Sequence, residues 1–151
     1  MVWLSHNMVT FTTLYVATND LSAAIAGMLG STLPDKIEGP FWRLWHRKWS
    51  HWFATYLPVL FIFAPYQGNV FPAKAWVSSG FGSFLQCFVF WFFIGALLHI
   101  LEDAICGAIP VWSPNKKIKV FPRLFYVGSM KEYLFVGAYC ICMGMITFIK
   151  V

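Results

Sequence analysis

Histidines and carboxylates that could bind a metal ion are concentrated in one polar stretch of an otherwise apolar chain. The stretch runs from Leu33 to His51 and reads LPDKIEGPFWRLWHRKWSH. It contains two of the four histidines, His46 and His51, and two of the six acidic residues, Asp35 and Glu38. Mixed imidazole and carboxylate ligands suit Zn²⁺, Mn²⁺ or Fe²⁺. The stretch therefore predicts part of a site for a divalent metal.

A second group of ionisable residues lies at the end of a long uncharged segment, Phe81 to Leu101. His99 and Asp103 are four residues apart, so on a helix they lie on the same face. Glu102 directly precedes Asp103. Ionisable residues at the end of a membrane helix are costly unless they are paired, hydrated or bound to a ligand. His99 and Asp103 could satisfy each other, or they could bind a metal together with the polar stretch.

The composition indicates an integral membrane protein. Hydrophobic residues make up 59% of the 151 residues and charged residues 11%, against about a quarter charged in a soluble domain. Phe81–Leu101 is long enough to cross a bilayer. Tyr133–Ile149 is a second uncharged run, and Trp52–Ala64, interrupted by Pro58, is a third. The sequence predicts an all-α, polytopic membrane bundle of about four to five helices, as a single integral membrane domain over residues 1–151.

Two shorter apolar pieces, Met8–Thr18 and Leu21–Leu33, precede the polar stretch. Asn19-Asp20 between them is a turn pair whose aspartate could cap the second helix. The two pieces are therefore predicted to form a helical hairpin that dips into the membrane or crosses a thinned region of it. A turn at this position returns His6 to the side on which Asp35 lies.

Small and aromatic residues in this region predict close helix packing and an interfacial position. Gly27 and Gly30 would let another helix approach closely, and Pro34 is expected to end the second piece. If residues 41–56 are helical, four tryptophans form one stripe, which is typical of a belt at the membrane surface. These tryptophans are Trp42, Trp45, Trp49 and Trp52.

The net charge of +5 comes mainly from two basic clusters, Lys36–Lys48 and Lys116–Lys131. Basic clusters beside apolar segments are typical of cytoplasmic loops and of contact with anionic lipids, which argues against nucleic acid as a partner. In the basic loop of residues 107–131, Ile109–Trp112 and Ile118–Phe121 flank a turn and predict a short hairpin.

On this topology all four histidines and five of the six acidic residues lie at one membrane face. A metal bound there would lower the pKa of a water molecule and polarise a phosphoryl or carbonyl group. Glu38 or Glu102 is the candidate general base, and Arg47 could orient an anionic group. On one unbroken helix His46 and His51 would be separated by about 140° around the axis, so either the helix starts after His46 or the two histidines have different roles.

The order of these motifs resembles that of the YdjM/DUF457 family of bacterial inner-membrane proteins. These proteins are considered metal-dependent hydrolases, with a proposed distant kinship to zinc-dependent phospholipase C. The residues that carry the resemblance are Leu33-Pro34-Asp35, the HRKWSH from His46 to His51, His99-x-x-x-Asp103, Gly107, Pro110 and Pro114, together with His6, Val127-Gly128-Ser129 and Glu132.

The resemblance implies a set of six metal ligands. They are His6, Asp35, His46, His51, His99 and Asp103. One departure is visible, because the family pattern PD-x-D has Ile37 at its second acidic position here, and Glu38 follows.

The principal hypothesis is a membrane hydrolase that uses one or two divalent ions, zinc being the first choice. Its substrate would be a phosphoester of a lipid or another small molecule at the cytoplasmic face of a bacterial inner membrane. The first alternative is a non-catalytic subunit or regulator whose polar cluster is a structural metal site or a hydrogen-bonded knot. The second is an ion or metal transporter, which requires polar residues at the bilayer midplane, where the spans offer only scattered candidates such as Gln86.

Overall fold

The structure, a computed structural model, describes residues 1–39, 48–64 and 81–149. Within these ranges the chain is mostly helical and carries one two-stranded sheet, which confirms the predicted helical class. The helices are α1 (Trp3–Thr18), α2 (Leu21–Ser31), α3 (Leu33–Glu38), α4 (Leu57–Phe63), α5 (Phe81–Cys106) and α6 (Met130–Ile149). Single 3₁₀ turns at Trp49–His51 and Phe53–Thr55 precede α4.

The α1–α2 pair is the helical hairpin that the sequence predicts. Asn19 ends α1 in the left-handed region, with φ of 52°. The Asp20 carboxylate accepts hydrogen bonds from two free backbone N–H groups at the start of α2, as expected of a helix cap. Ser31 Oγ donates to Asn7 Oδ1 at 2.9 Å, so the end of α2 lies beside the start of α1. The hairpin therefore returns the chain to the level of His6.

Helices α2 and α5 pack backbone against backbone at glycines. A Cβ added at Gly95 would lie 1.9 Å from the carbonyl oxygen of Gly27, and one added at Gly30 would lie 1.7 Å from that of Phe92. Neither position has space for a side chain, which confirms the close approach predicted from Gly27 and Gly30. The contact fixes the part of α5 that lies one turn before His99.

The described parts of the polar stretch form short pieces. Pro34 lies in the first turn of α3, where a missing N–H costs little, so it begins a new helix after α2 has ended. Lys48 has φ −106° and ψ −108°, and Trp52 is extended. The prediction of a helix over residues 41–56 is therefore wrong for residues 48–56, and residues 40–47 lie outside the described ranges.

The two tryptophans of this stretch that the structure describes do not continue a helical stripe. The indole rings of Trp49 and Trp52 meet edge to face with their centroids 5.5 Å apart. Trp52 Nε1 donates to the carbonyl oxygen of Val111 at 3.0 Å. This bond ties the extended Trp52 to the strand that follows α5 and explains why the helical period is lost here.

The third uncharged run, Trp52–Ala64, forms the 3₁₀ turn at Phe53–Thr55 and the short helix α4. Pro58 lies in its first turn, so this proline begins the helix and does not interrupt it. Seven residues rise about 10 Å, which is too short to cross a bilayer. The prediction of a third span over Trp52–Ala64 is therefore wrong as stated.

Two of the described helices, α5 and α6, are long and apolar enough to cross a membrane. Between them, β1 (Ala108–Ser113) pairs antiparallel with β2 (Lys116–Lys119), with Ile109 opposite Ile118. The predicted hairpin is confirmed, although β2 ends before Phe121. Its position at the end of α5 places basic side chains beside the polar end of that helix.

Candidate metal centre

Five of the six predicted metal ligands meet in one buried cluster, which four separate elements supply. His6 comes from α1, Asp35 from α3, His51 from the first 3₁₀ turn, and His99 and Asp103 from the last turns of α5. The three histidines are at most 1% exposed and Asp103 is 2% exposed. Imidazoles and carboxylates so deeply buried are stable only when paired or bound to a metal.

Three ligand atoms form a nearly equilateral triangle. The Nε2 atoms of His51 and His99 are 3.3 Å apart. Oδ1 of Asp35 lies 3.4 Å from the Nε2 of His51 and 3.5 Å from that of His99. Bonds of about 2.0–2.1 Å in tetrahedral coordination separate two ligand atoms by about 3.3–3.4 Å. The triangle thus has the dimensions of one face of a tetrahedral zinc site.

Asp103 has a carboxylate oxygen within 4.0 Å of each of the three imidazoles. Its Oδ2 lies 3.4 Å from Nε2 of His51 and 4.0 Å from Nε2 of His99. Its Oδ1 lies 3.4 Å from Nε2 of His6 and accepts a hydrogen bond from the amine of Met1 at 2.8 Å. Asp103 can therefore supply a fourth ligand atom and at the same time contact His6.

A carboxylate outside the triangle orients His51. Oε1 of Glu38 lies 2.9 Å from Nδ1 of His51, and the Ser50 hydroxyl donates to Glu38. Glu38 is 5% exposed. A carboxylate on the far nitrogen of a metal-binding histidine fixes the ring and its tautomer. Glu38 therefore directs the Nε2 of His51 toward the triangle.

The same arrangement recurs at His6. Oε2 of Glu102 lies 2.5 Å from Nδ1 of His6, and Thr10 Oγ1 donates to Glu102 Oε1 at 2.9 Å. The His6 ring stacks on that of His99 with the centroids 3.8 Å apart. Nε2 of His6 is buried with no hydrogen bond among the described residues. The carboxylate oxygen that this nitrogen faces is Oδ1 of Asp103, at 3.4 Å.

The protonation of the cluster without metal follows from these contacts. Burial acts to raise the pKa of Asp35, but hydrogen bonds from His51 and His99 hold it well below its usual range. Burial acts to lower the pKa of His51, but hydrogen bonds to Asp103, Asp35 and Glu38 raise it to about 10. His51 therefore carries a proton at neutral pH, which a metal has to displace.

The other sequence predictions for the site have different outcomes. His46 and Arg47 lie outside the described residues. Glu38 and Glu102, the candidate general bases, lie at the cluster and contact Nδ1 atoms of histidines. Asp20, the acidic residue expected elsewhere, caps α2 at the opposite end of the hairpin.

The roles of several residues around the cluster were not predicted from the sequence. Trp3 Nε1 donates to Oδ2 of Asp35 at 2.8 Å, and no sequence signal indicates it. Thr10 lies one turn after His6, a spacing that places both on one helix face. Glu132 is fully buried and accepts backbone N–H bonds from Val2 and Gly128, both at 2.7 Å. The Ser129-x-x-Glu132 spacing is that of a capping box, but Glu132 accepts from the N–H of Gly128, while the N–H of Ser129 donates to the carbonyl oxygen of Tyr126.

Comparison of this chain with protein-family models, curated proteins and solved structures finds no match.

Proposed function

We propose that this chain is a membrane-embedded hydrolase that uses a divalent metal, zinc being the first choice, to cleave a phosphoester of a lipid or a related membrane molecule. The observation that carries the proposal is the triangle of Asp35, His51 and His99 nitrogen and oxygen atoms with edges of 3.3–3.5 Å. Hydrogen bonding among these groups does not require three edges of similar length, whereas coordination of all three atoms to one ion does.

A single ion per chain is the occupancy that the geometry favours. The cluster contains two overlapping groups, one of Asp35, His51 and His99 and another of His6, His99 and Asp103. Both groups include His99, and one imidazole nitrogen binds one ion, so a single nitrogen of His99 can serve only one of them. The Asp35 group has the regular spacing, and Oδ2 of Asp103 lies 3.4 Å from its His51 nitrogen.

The residues of the chain would divide the chemistry as follows. Asp35, His51, His99 and Asp103 would hold the metal, and a water molecule would bind it in addition to these four side chains. The metal would lower the pKa of that water and polarise a phosphoryl oxygen. Glu38 keeps the Nε2 of His51 directed at the ion. Because each carboxylate already bonds an imidazole Nδ1, Glu38 and Glu102 are better suited to positioning than to general-base catalysis.

The membrane location supports a lipid-like substrate. Helices α5 and α6 are long and apolar enough to span a bilayer, and the cluster lies at the carboxyl end of α5 beside the basic hairpin. Positively charged loops favour the cytoplasmic side. We therefore propose an inner-membrane protein with its site at the cytoplasmic face, in line with the resemblance to the YdjM/DUF457 family.

Metal analysis of the purified protein tests the proposal. The wild type and His99→Ala are purified in mild detergent, loaded with Zn²⁺, Mn²⁺ or Fe²⁺, desalted and measured by elemental analysis, and a panel of lipid and soluble phosphoesters is then assayed. We expect one ion per wild-type chain, none in His99→Ala, and metal-dependent turnover of a phosphoester. Wild-type protein that retains no metal would overturn the proposal.

A structural metal site is the second candidate, and the burial of the histidines favours it. His6, His51 and His99 are all at most 1% exposed, whereas a catalytic metal keeps a position open to substrate. In that case His51→Ala would lower the unfolding temperature, and no phosphoester would be turned over by the metal-loaded wild type.

A further inference from the structure

An apolar groove of about 540 Å³ lies between α1, α5, α6 and the segment that follows the hairpin. Its walls include Val9, Leu98, Ile105, Phe121, Phe135 and Tyr139. This volume is in the range of about 300–1,000 Å³ that small-molecule sites occupy. The groove is therefore large enough to hold a ligand, and it is larger than the small voids left by imperfect packing.

One border of the groove adjoins the candidate metal centre. Glu102 lines the groove and also lies 2.5 Å from His6. Met1 lines it as well, and its amine bonds Asp103 at 2.8 Å. A molecule that fills the groove thus has its hydrocarbon part against apolar walls and one end beside the metal ligands.

The surroundings of the groove are those of a membrane surface. Two of its walls belong to α5 and α6, the helices apolar enough to span a bilayer. A third contains Phe121 and Pro122, which lie in the chain between the exposed Lys119 and Arg123. Basic residues at this level attract anionic lipid headgroups. The apolar walls suit a hydrocarbon chain, and the positive charges that flank Phe121-Pro122 in the sequence suit an anionic headgroup.

We infer that the groove holds one hydrocarbon chain of an anionic phospholipid whose phosphate end is directed to the metal centre. The direction of the phosphate rests on the proposed function; the occupancy of the groove by a hydrocarbon chain does not. Metal and basic side chains would attract the phosphate, while Glu102 remains bonded to His6. The groove would therefore select a lipid phosphoester over a soluble one.

Photolabelling tests this inference without requiring turnover. The probe is a phosphatidic acid with a diazirine on one acyl chain, mixed into phosphatidylcholine nanodiscs that contain the full chain. Leu101 lines the groove and is 56% exposed, so Leu101→Trp can obstruct the groove without disturbing the core. Leu134, which is 66% exposed on α6 and does not line the groove, provides the matched control Leu134→Trp.

We expect crosslinks on the groove-lining residues, a severalfold decrease in Leu101→Trp and no change in Leu134→Trp. Labelling that is equal in all three proteins, or that maps to lipid-facing residues outside the groove or to a second copy of the chain, overturns the inference. Metal content is measured on the same samples. If the protein binds stoichiometric metal but the groove is not labelled, the proposed function stands and lipid binding in the groove is overturned. If the groove is labelled in protein that binds no metal, lipid binding in the groove is supported and the proposed function is overturned.

Discussion

Glu38 and His51 form a buried pair in which Oε1 of the carboxylate lies 2.9 Å from Nδ1 of the imidazole. The contact joins the end of α3 to the 3₁₀ turn Trp49–His51, which follows residues 40–47 in the sequence. Since Nδ1 is engaged, only Nε2 is available to the cluster of Asp35, His99 and Asp103. The pair therefore determines which nitrogen of His51 can bind a metal.

Glu38→Gln is expected to weaken metal binding and to leave the fold intact. Loss of a carboxylate behind a metal-binding histidine typically lowers metal affinity about 10–100-fold. A chelator competition titration in detergent measures this change. Unchanged affinity in Glu38→Gln would show that Glu38 does not position His51.

Asp103→Asn is expected to abolish stoichiometric metal binding, since Asp103 is in reach of three imidazoles. Asp20→Asn is the matched control, because Asp20 is equally buried but caps α2, and asparagine caps a helix as well as aspartate does. Elemental analysis of both purified variants provides the measurement. Equal metal content in the two would rule out Asp103 as a ligand.

Gly95→Ala is expected to destabilise the protein by about 1–3 kcal/mol through overpacking. The added methyl would lie 1.9 Å from the carbonyl oxygen of Gly27. Gly137→Ala, on α6, is the control, because a Cβ there meets nothing within 4 Å and alanine is the better helix former by up to about 1 kcal/mol. Unfolding in mild detergent compares them, and similar stability of both would contradict the backbone contact.

Glu132→Gln is expected to lower stability by about 1–3 kcal/mol, because a buried backbone N–H loses a charged acceptor. The carboxylate accepts from both Val2 and Gly128, whereas an amide has only one acceptor oxygen. Metal affinity should stay at the wild-type value, which makes this variant the control for Glu38→Gln. A loss of metal in Glu132→Gln would mean that the start of α1 also positions the cluster.

Much of the site could be predicted because its ligands follow helical rules. The spacing of His99 and Asp103, and the turn at Asn19-Asp20 that returns His6, both depend on local geometry. The course of the chain around His51 could not be predicted. Its direction depends on the long-range hydrogen bond from Trp52 to Val111 and on the buried contact of His51 with Glu38. No hydrophobic periodicity in the sequence indicates either contact.

Because Gly27 and Gly95 are in direct backbone contact, the cluster residues on α5 are held more rigidly than those on the short elements. Helix α5, with His99 and Asp103, is held to α2 by backbone atoms that cannot change rotamer. Asp35 and His51 lie instead on a six-residue helix and a three-residue turn. If the cluster binds an ion as proposed, the ion would enter and leave by displacement of these two short pieces, because α5 is held in place by its backbone contact with α2.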